Sequence, residues 1–408
     1  MLPVAVIGAG AAGLMAAIHA AGPGRWVVLL ERTRDGGRKI LISGGGRCNI
    51  LPSVLDPARF VSESPPHLVR RLLAVWSLER QRAFFEDRLG LPLVLEAESG
   101  KLFPVSNRAR DVRDRLVTAA REAGAELRFA TAVTGVERSG TGWRVVLQDQ
   151  APLEASAVIV ATGGLSVPAT GSDGLGLTIA RRLGHTVRET YPALTPLVAE
   201  PPVHAHLSGL SLDVRIEARL GSRRLRSAGG FLFTHRGYSG PSVLDLSHLA
   251  VRSRLAGGER QALRVAWSQE GAEVWAPRLQ QRSPRTVLSI VREAIPARLA
   301  EQLLAEGQVG AGCQLAQLSR DDRHKVVELL SAYSLPWTGD EGYRKAEVTG
   351  GGVALEEIDP VTFQSRLCPG IHFCGEVLDA FGPIGGYNFA WAWATGRAAG
   401  LGVSAPAR

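Results

Sequence analysis

Cysteine is scarce in this chain, with only Cys48, Cys313, Cys368 and Cys374 among 408 residues. So few, so irregularly spaced, exclude a disulfide framework or a zinc-ligand set and fit a reducing cytoplasm. No Cys-x-x-Cys pair occurs, which argues against the dithiol chemistry of a thioredoxin reductase. Lysine is equally rare, 4 residues against 43 arginines beside 47 glycines. G+C-rich coding explains that skew as well as a selected basic surface does. No repeat or low-complexity segment stands out. The apolar stretch Leu2 to Ile18 raises a membrane span or signal peptide, but it lacks a basic flank and carries three glycines at phosphate-loop spacing. It reads as strand, turn and buried helix. We therefore expect no membrane partner and no metal.

What is present describes a globular protein of two or three domains, 45% hydrophobic and 21% charged. The net charge of +8 raises the question of an anionic partner such as nucleic acid. Val4 to Ile7 is a short apolar run ending at glycine, as a buried parallel strand does. Gly13 to Ala21 has helix-forming composition, and Trp26 to Leu30 is a second strand closed by Glu31. Apolar spacing predicts a helix followed by turns over His67 to Leu89, a hairpin of Leu91 to Leu95 with Lys101 to Val105, and a helix from Arg108 to Glu122. Short β segments follow over Glu126 to Ala130, Val133 to Arg138 and Trp143 to Leu147. Ala157 to Ala161 is an unbroken apolar strand. Strands and basic loops run from Tyr191 to about Leu249, helices from Pro284 to Leu330, and a last strand, glycine turn and helix over Ile371 to Cys374, Gly375 and Ala390 to Ala399.

The loop Gly8-Ala9-Gly10-Ala11-Ala12-Gly13 follows a strand and opens a helix. Gly8 permits the tight turn, Gly10 lets backbone approach a pyrophosphate, and Gly13 allows close helix–strand packing. Glu31 stands where an acid accepts ribose hydroxyls, with Arg32 after it. The loop alone admits NAD, NADP or FAD. Two late segments select FAD in an extended pose: the strand exit Ala161-Thr162-Gly163-Gly164, and Gly375-Glu376, an acid suited to a ribitol hydroxyl. Backbone N–H groups at Gly385-Gly386-Tyr387-Asn388 can stabilise charge on the reduced flavin's pyrimidine edge. The string from Gly36 to Asn49, with Gly37, Arg38, Lys39, Ser43, Gly44 and Gly45, forms a flexible cationic backbone surface for phosphates or a flavin edge.

The strings GGRKILISGGGRCN, VIVATGGLSVPATGSDGLG, FLFTHRGYSGP and FCGEVLDAFGPIGGYNFAWAWATG resemble, in order and over nearly the whole chain, the BaiN/RdsA family of FAD-dependent oxidoreductases, also called HI0933-like or YhiN-like flavoproteins. The resemblance implies an α/β fold: a glutathione-reductase-type FAD-binding Rossmann domain in two segments, 1–190 and 344–408, interrupted by a β-rich insertion at 191–280 and a helical insertion at 281–343. It also implies that Glu31 sits at the adenosine ribose, the backbone of Ala132 and Val133 near the adenine, Glu376 at the ribitol, and Lys39, Ser43 and Asn388 near the cofactor. Ile50-Leu51-Pro52, where a polar threonine and asparagine are common, and Ser172-Asp173-Gly174-Leu175-Gly176 mark a divergent subgroup.

No second complete nucleotide-binding fold is evident, since Gly307 to Gly312 lies in a helical region without a preceding strand. NAD(P)H would then dock transiently over the flavin as electron donor. His235, Arg236, Tyr238 and Tyr387 are the candidates for proton delivery, although a structural role for His235 is the simpler reading. Cys48 reads as a small buried residue against the glycine loop. Three functions stay open. The first is a reductase passing hydride from NAD(P)H through FAD to an activated C=C or C=O bond of a small molecule. The second, which the family also implies, reduces uridine to dihydrouridine in ribosomal RNA; 20 Lys and Arg against 14 Asp and Glu lie between residues 203 and 345, with Arg219, Arg223, Arg224 and Arg226 clustered. The third is a flavin-dependent amine oxidase or a flavoprotein with a structural cofactor.

Overall fold

The computed structural model describes residues 1–403. The chain forms two compact units, one from Met1–Pro192 together with the segment from Glu347 onward, the other from Ala193–Ala346.

The first unit is built on five parallel strands: β1 (Val4–Ile7), β2 (Val27–Leu30), β3 (Ala125–Arg128), β4 (Ala157–Val160) and β5 (Ile371–Phe373), in the order β5-β4-β1-β2-β3. Every residue of β1 and β2 is buried, so these strands read as continuous apolar runs and not as alternation. Helix α1 (Ala11–Ala20) follows β1, α2 (Ala109–Glu122) precedes β3, and α3 (Tyr387–Gly402) follows β5. Helices α1 and α3 approach closely, and a Cβ on Gly396 would stand 2.3 Å from the Ala12 carbonyl oxygen. The short β segment expected at Glu126 to Ala130 is found as Ala125–Arg128, the edge strand β3 of the parallel sheet, with Phe129 and Ala130 in the turn that follows. Helix α3 starts at Tyr387 and not at Ala390, because Gly386 takes φ +98° and caps it. Over His67 to Leu89, where a helix followed by turns is expected, the helix Pro66–Leu73 is followed by a second one, Leu78–Ala83, capped by the Ser77 hydroxyl.

Two antiparallel sheets complete this unit. Leu51–Pro52, Lys101–Pro104 and Leu93–Glu96 form one, and Val133–Ser139, Gly142–Leu147 and Leu153–Ala155 the other. Val187–Ala193 also pairs with Val348–Val353.

The second unit has a seven-stranded antiparallel sheet whose longest members, Ser211–Leu220 and Arg223–Phe233, form a hairpin. Helices Pro241–Leu255, Ala272–Gln280, Ala297–Glu306 and Arg320–Ser331 accompany it. Its core holds Phe231, Phe233, Tyr238, Trp267 and Tyr333, all buried.

Candidate functional site

Parallel strands leave their C-terminal ends and the following loops as the natural crevice of such a sheet. In the first unit a cavity of about 400 Å³ opens there, inside the size range of ligand sites. The phosphate loop forms its middle. Gly8, at φ +102°, passes so close to β4 that a Cβ would meet the Ala161 carbonyl oxygen at 2.6 Å, and one on Gly13 would lie 1.8 Å from the Gly8 oxygen. Gly10 behaves differently: nothing lies within 4 Å of its Cβ position, and it faces the cavity with Ala11 and Ala12. The loop thus packs tightly at two glycines and opens its backbone at the third, a cradle that a phosphate can enter. Gly13 itself stands behind the wall.

At one end, Glu31 leaves β2 almost fully buried. Its Oε2 accepts from the Ala9 N–H, and its Oε1 from the Thr33 N–H and hydroxyl, all at 2.7 Å. The carboxylate therefore holds the phosphate loop as well as facing the cavity. Arg32 next to it is ion-paired with Asp173. Thr131 and Val133 line this end, whereas Ala132 does not, since successive residues of extended chain face opposite ways.

Along the wall the Lys39 ammonium donates to Glu376 Oε2 at 2.7 Å and to the Ser166 hydroxyl at 2.6 Å; that hydroxyl donates to Glu376 Oε1 at 2.6 Å, which also accepts the Thr349 N–H at 3.0 Å. Four segments far apart in sequence are locked into one polar network beside Thr162, Gly163 and Gly375. Gly37, Arg38, Ser43, Gly44 and Gly45 also reach the cavity, with Gly45 open to space in the way Gly10 is.

The opposite end is made by Gly385, Gly386, Asn388, Asn49 and Lys101, at the start of α3. The Asn388 amide accepts from the Gly382 N–H at 2.8 Å and donates to its carbonyl at 3.0 Å, which fixes the loop ahead of the helix. Tyr387 does not line the cavity. It is buried against Phe60, with the Arg59 guanidinium 5.1 Å from its ring centre. Asn49, which closes the Gly36 to Asn49 string, also lines the cavity, whereas the spacing of motifs could not show Lys101, Thr131 or Asp173 in the wall; for Asp173 the glycine-rich stretch around it was the available signal.

His235 and Tyr238 lie in the second unit. His235 occupies an exposed turn. Tyr238 is wholly buried, its hydroxyl 2.8 Å from His204 Nδ1, and burial holds the phenol well above its usual pKa. That side chain is a core residue of the sheet. Cys48 is buried and its thiol is pushed up to about 12 by burial, so it stays protonated. Among the described residues no cluster of His, Cys, Asp and Glu could hold a metal, and no helix is long and apolar enough to cross a membrane.

The model of the family described as HI0933-like protein Rossmann domain matches residues 2–402. A ribosomal RNA dihydrouridine synthase of Haemophilus influenzae is 34% identical over 405 residues, covering 98% of each chain. A 3-dehydro-bile acid delta(4,6)-reductase of Clostridium scindens is 30% identical over 406 residues, 97% of this chain and 98% of that one. Among solved structures, the 3-ketosteroid-delta4-(5alpha)-dehydrogenase of Rhodococcus jostii RHA1 shares the fold at TM-score 0.53 and 14% identity, over 99% of this chain and 96% of its own.

Proposed function

The chain belongs to the HI0933-like family, a family of FAD-dependent oxidoreductases, and from that premise we propose that it passes hydride from NAD(P)H through FAD to an activated C=C or C=O bond. One relative is named for making dihydrouridine and another for a delta(4,6)-reduction; both names describe hydrogen added across a double bond, which favours C=C. The observation that carries the reading is the continuous cavity from Glu31 to the start of α3, with open backbone at Gly10 and Gly45.

FAD, when bound, supplies the hydride chemistry. The chain supplies placement and charge. Gly10 and the N-terminus of α1 hold the pyrophosphate, Glu31 the adenosine ribose, and the Lys39–Glu376 pair, braced from behind by the buried Ser166, the ribitol. The N-terminus of α3 directs unpaired N–H groups at the ring end. Of the proton-delivery candidates, His235 and Arg236 are exposed on the second unit, whereas Tyr238 and Tyr387 are enclosed by packing. The test is anaerobic mixing of the purified flavoprotein with NADH and with NADPH. A flavin that stays oxidised with both removes nicotinamide-driven turnover.

A second reading, reduction of uridine in ribosomal RNA, has one feature of this chain behind it. In the hairpin of the second unit Arg219 and Arg223 are exposed and form no ion pair among the described residues, while Arg224 and Arg226 are tied to Glu217. Free guanidinium groups on a two-stranded ribbon suit a phosphate backbone. Ribosomal RNA from a deletion strain that keeps all its dihydrouridine removes this reading.

A further inference from the structure

Four cationic side chains line the cavity, and three are neutralised: Arg32 by Asp173, Arg38 by Asp35 and Lys39 by Glu376. Lys101 is the exception. Its ammonium makes no ion pair or hydrogen bond among the described residues. Glu96, directly opposite in register, feels the Lys101 charge at a distance, but its hydrogen bonds go elsewhere: one oxygen to Arg47 at 2.9 Å and the other to the Ser99 hydroxyl at 2.5 Å.

The position of this charge is fixed by the backbone. Lys101 opens the central strand of the Leu51–Pro52, Lys101–Pro104 and Leu93–Glu96 sheet, held from both sides by Pro52 and Glu96. Its stem crosses Gly385, where a Cβ would come within 3.4 Å of Lys101 Cε and 3.7 Å of Cγ. Gly385 lies just ahead of α3, so the ammonium and the positive end of a 16-residue helix converge on one end of the cavity. That end is opposite Glu31, the ribose end of an extended FAD.

We propose that Lys101 is the electrostatic residue of the redox step: its ammonium stabilises the negative charge that reduction places on the pyrimidine edge of the bound flavin, and so raises the flavin's reduction potential. Any hydrogen bond it donates there would be charge-assisted. The inference rests on the FAD reading of the cavity, and needs neither an electron donor nor an acceptor.

The test measures the two-electron potential of purified wild-type, K101M and K101R holoproteins by photoreduction against a reference dye. K101M is expected to shift the reduction equilibrium about tenfold toward the oxidised form, the scale of one partly exposed charge a few ångströms away, which is about 30 mV for a two-electron couple. K101R is expected to return close to wild type. A K101M potential equal to wild type overturns the assignment. So does a K101R that behaves as K101M, since stem packing over Gly385 and not charge would then be responsible, and so does a K101M that cannot retain FAD, which would make Lys101 a binding anchor. Wild-type protein without flavin, by contrast, sinks the FAD reading itself.

Discussion

Glu31→Gln tests the physical role assigned to this residue before any cofactor arrives. In the structure three donors converge on the carboxylate, each at 2.7 Å: the Ala9 N–H on Oε2, and the Thr33 N–H and hydroxyl on Oε1. A glutamine can keep its oxygen toward Thr33 only by turning its amide NH2 on the Ala9 N–H, which sets two donors face to face in a buried site. The lost charge-assisted bond is worth about 2 kcal/mol and the stranded N–H costs about 2 kcal/mol more. A total of about 4 kcal/mol lowers the melting temperature of a unit this size by about 12 °C. The assay is thermal unfolding of the apoprotein by circular dichroism, which separates these internal bonds from any bond to a ribose. Apo E31Q melting within about 2 °C of wild type would refute the reasoning, and Glu31 would then be a ligand contact alone.

The two glycines of the loop are expected to diverge. Gly13→Ala drives a methyl carbon to 1.8 Å from the Gly8 oxygen and should destroy both apoprotein stability and FAD binding. Gly10→Ala, at an ordinary φ of −78° with nothing within 4 Å, should melt like wild type yet bind FAD about 10- to 100-fold more weakly in a flavin fluorescence titration; unchanged affinity would mean the phosphates pass elsewhere. His19, His248 and His372 are each held down to about 4, chiefly by burial, so they are neutral when folded and take up protons on unfolding. Their contribution, about 3 kcal/mol each, is complete above about pH 6.5 and lost as pH falls toward 4. His372→Gln should therefore flatten the pH dependence of unfolding free energy near pH 5 by about one proton, and an unchanged slope counts against it. If the hairpin meets RNA, the double variant R219A/R223A should lower the salt slope of ribosomal RNA binding by about 2; an unaltered slope removes this hairpin from the contact.

Much of the cofactor end was legible because its chemistry is local. A strand, three glycines and an acid at the close of the next strand determine each other's positions within about thirty residues, and β1, α1 and Glu31 stand as that spacing requires. Residues whose role depends on distant chain were less legible. Lys101 reads from sequence as one arm of a hairpin, and nothing local shows that the hairpin lies against Gly385. Tyr387 lies in the expected glycine cluster, but the phase of α3 turns its ring onto Phe60 and not into the cavity. Tyr238 carries a polar atom that invites a catalytic reading, yet its strand lies between two others, Arg223–Phe233 and Leu197–Val198, and the interior of a sheet decides its environment. Glu376 and Lys39 were each read as facing the ligand singly; their mutual ion pair joins segments that no spacing rule connects.

The two-segment construction of the first unit sets an order of events on the ribosome. When residues up to Pro192 have emerged, β4 is an unpaired sheet edge and α1 lacks the helix that covers it; β5 and α3 follow only after all of Ala193–Ala346 has been made. The intervening unit ties its own ends together, because Leu197–Val198 pairs antiparallel with Gly339–Asp340. Once it has folded, the late segment starts beside the early one, and closing a loop of roughly 150 residues becomes closing one of roughly ten, an entropic saving of about 2 kcal/mol. The insertion thus serves as a clasp that delivers the C-terminal strand and helix to a waiting half-built sheet.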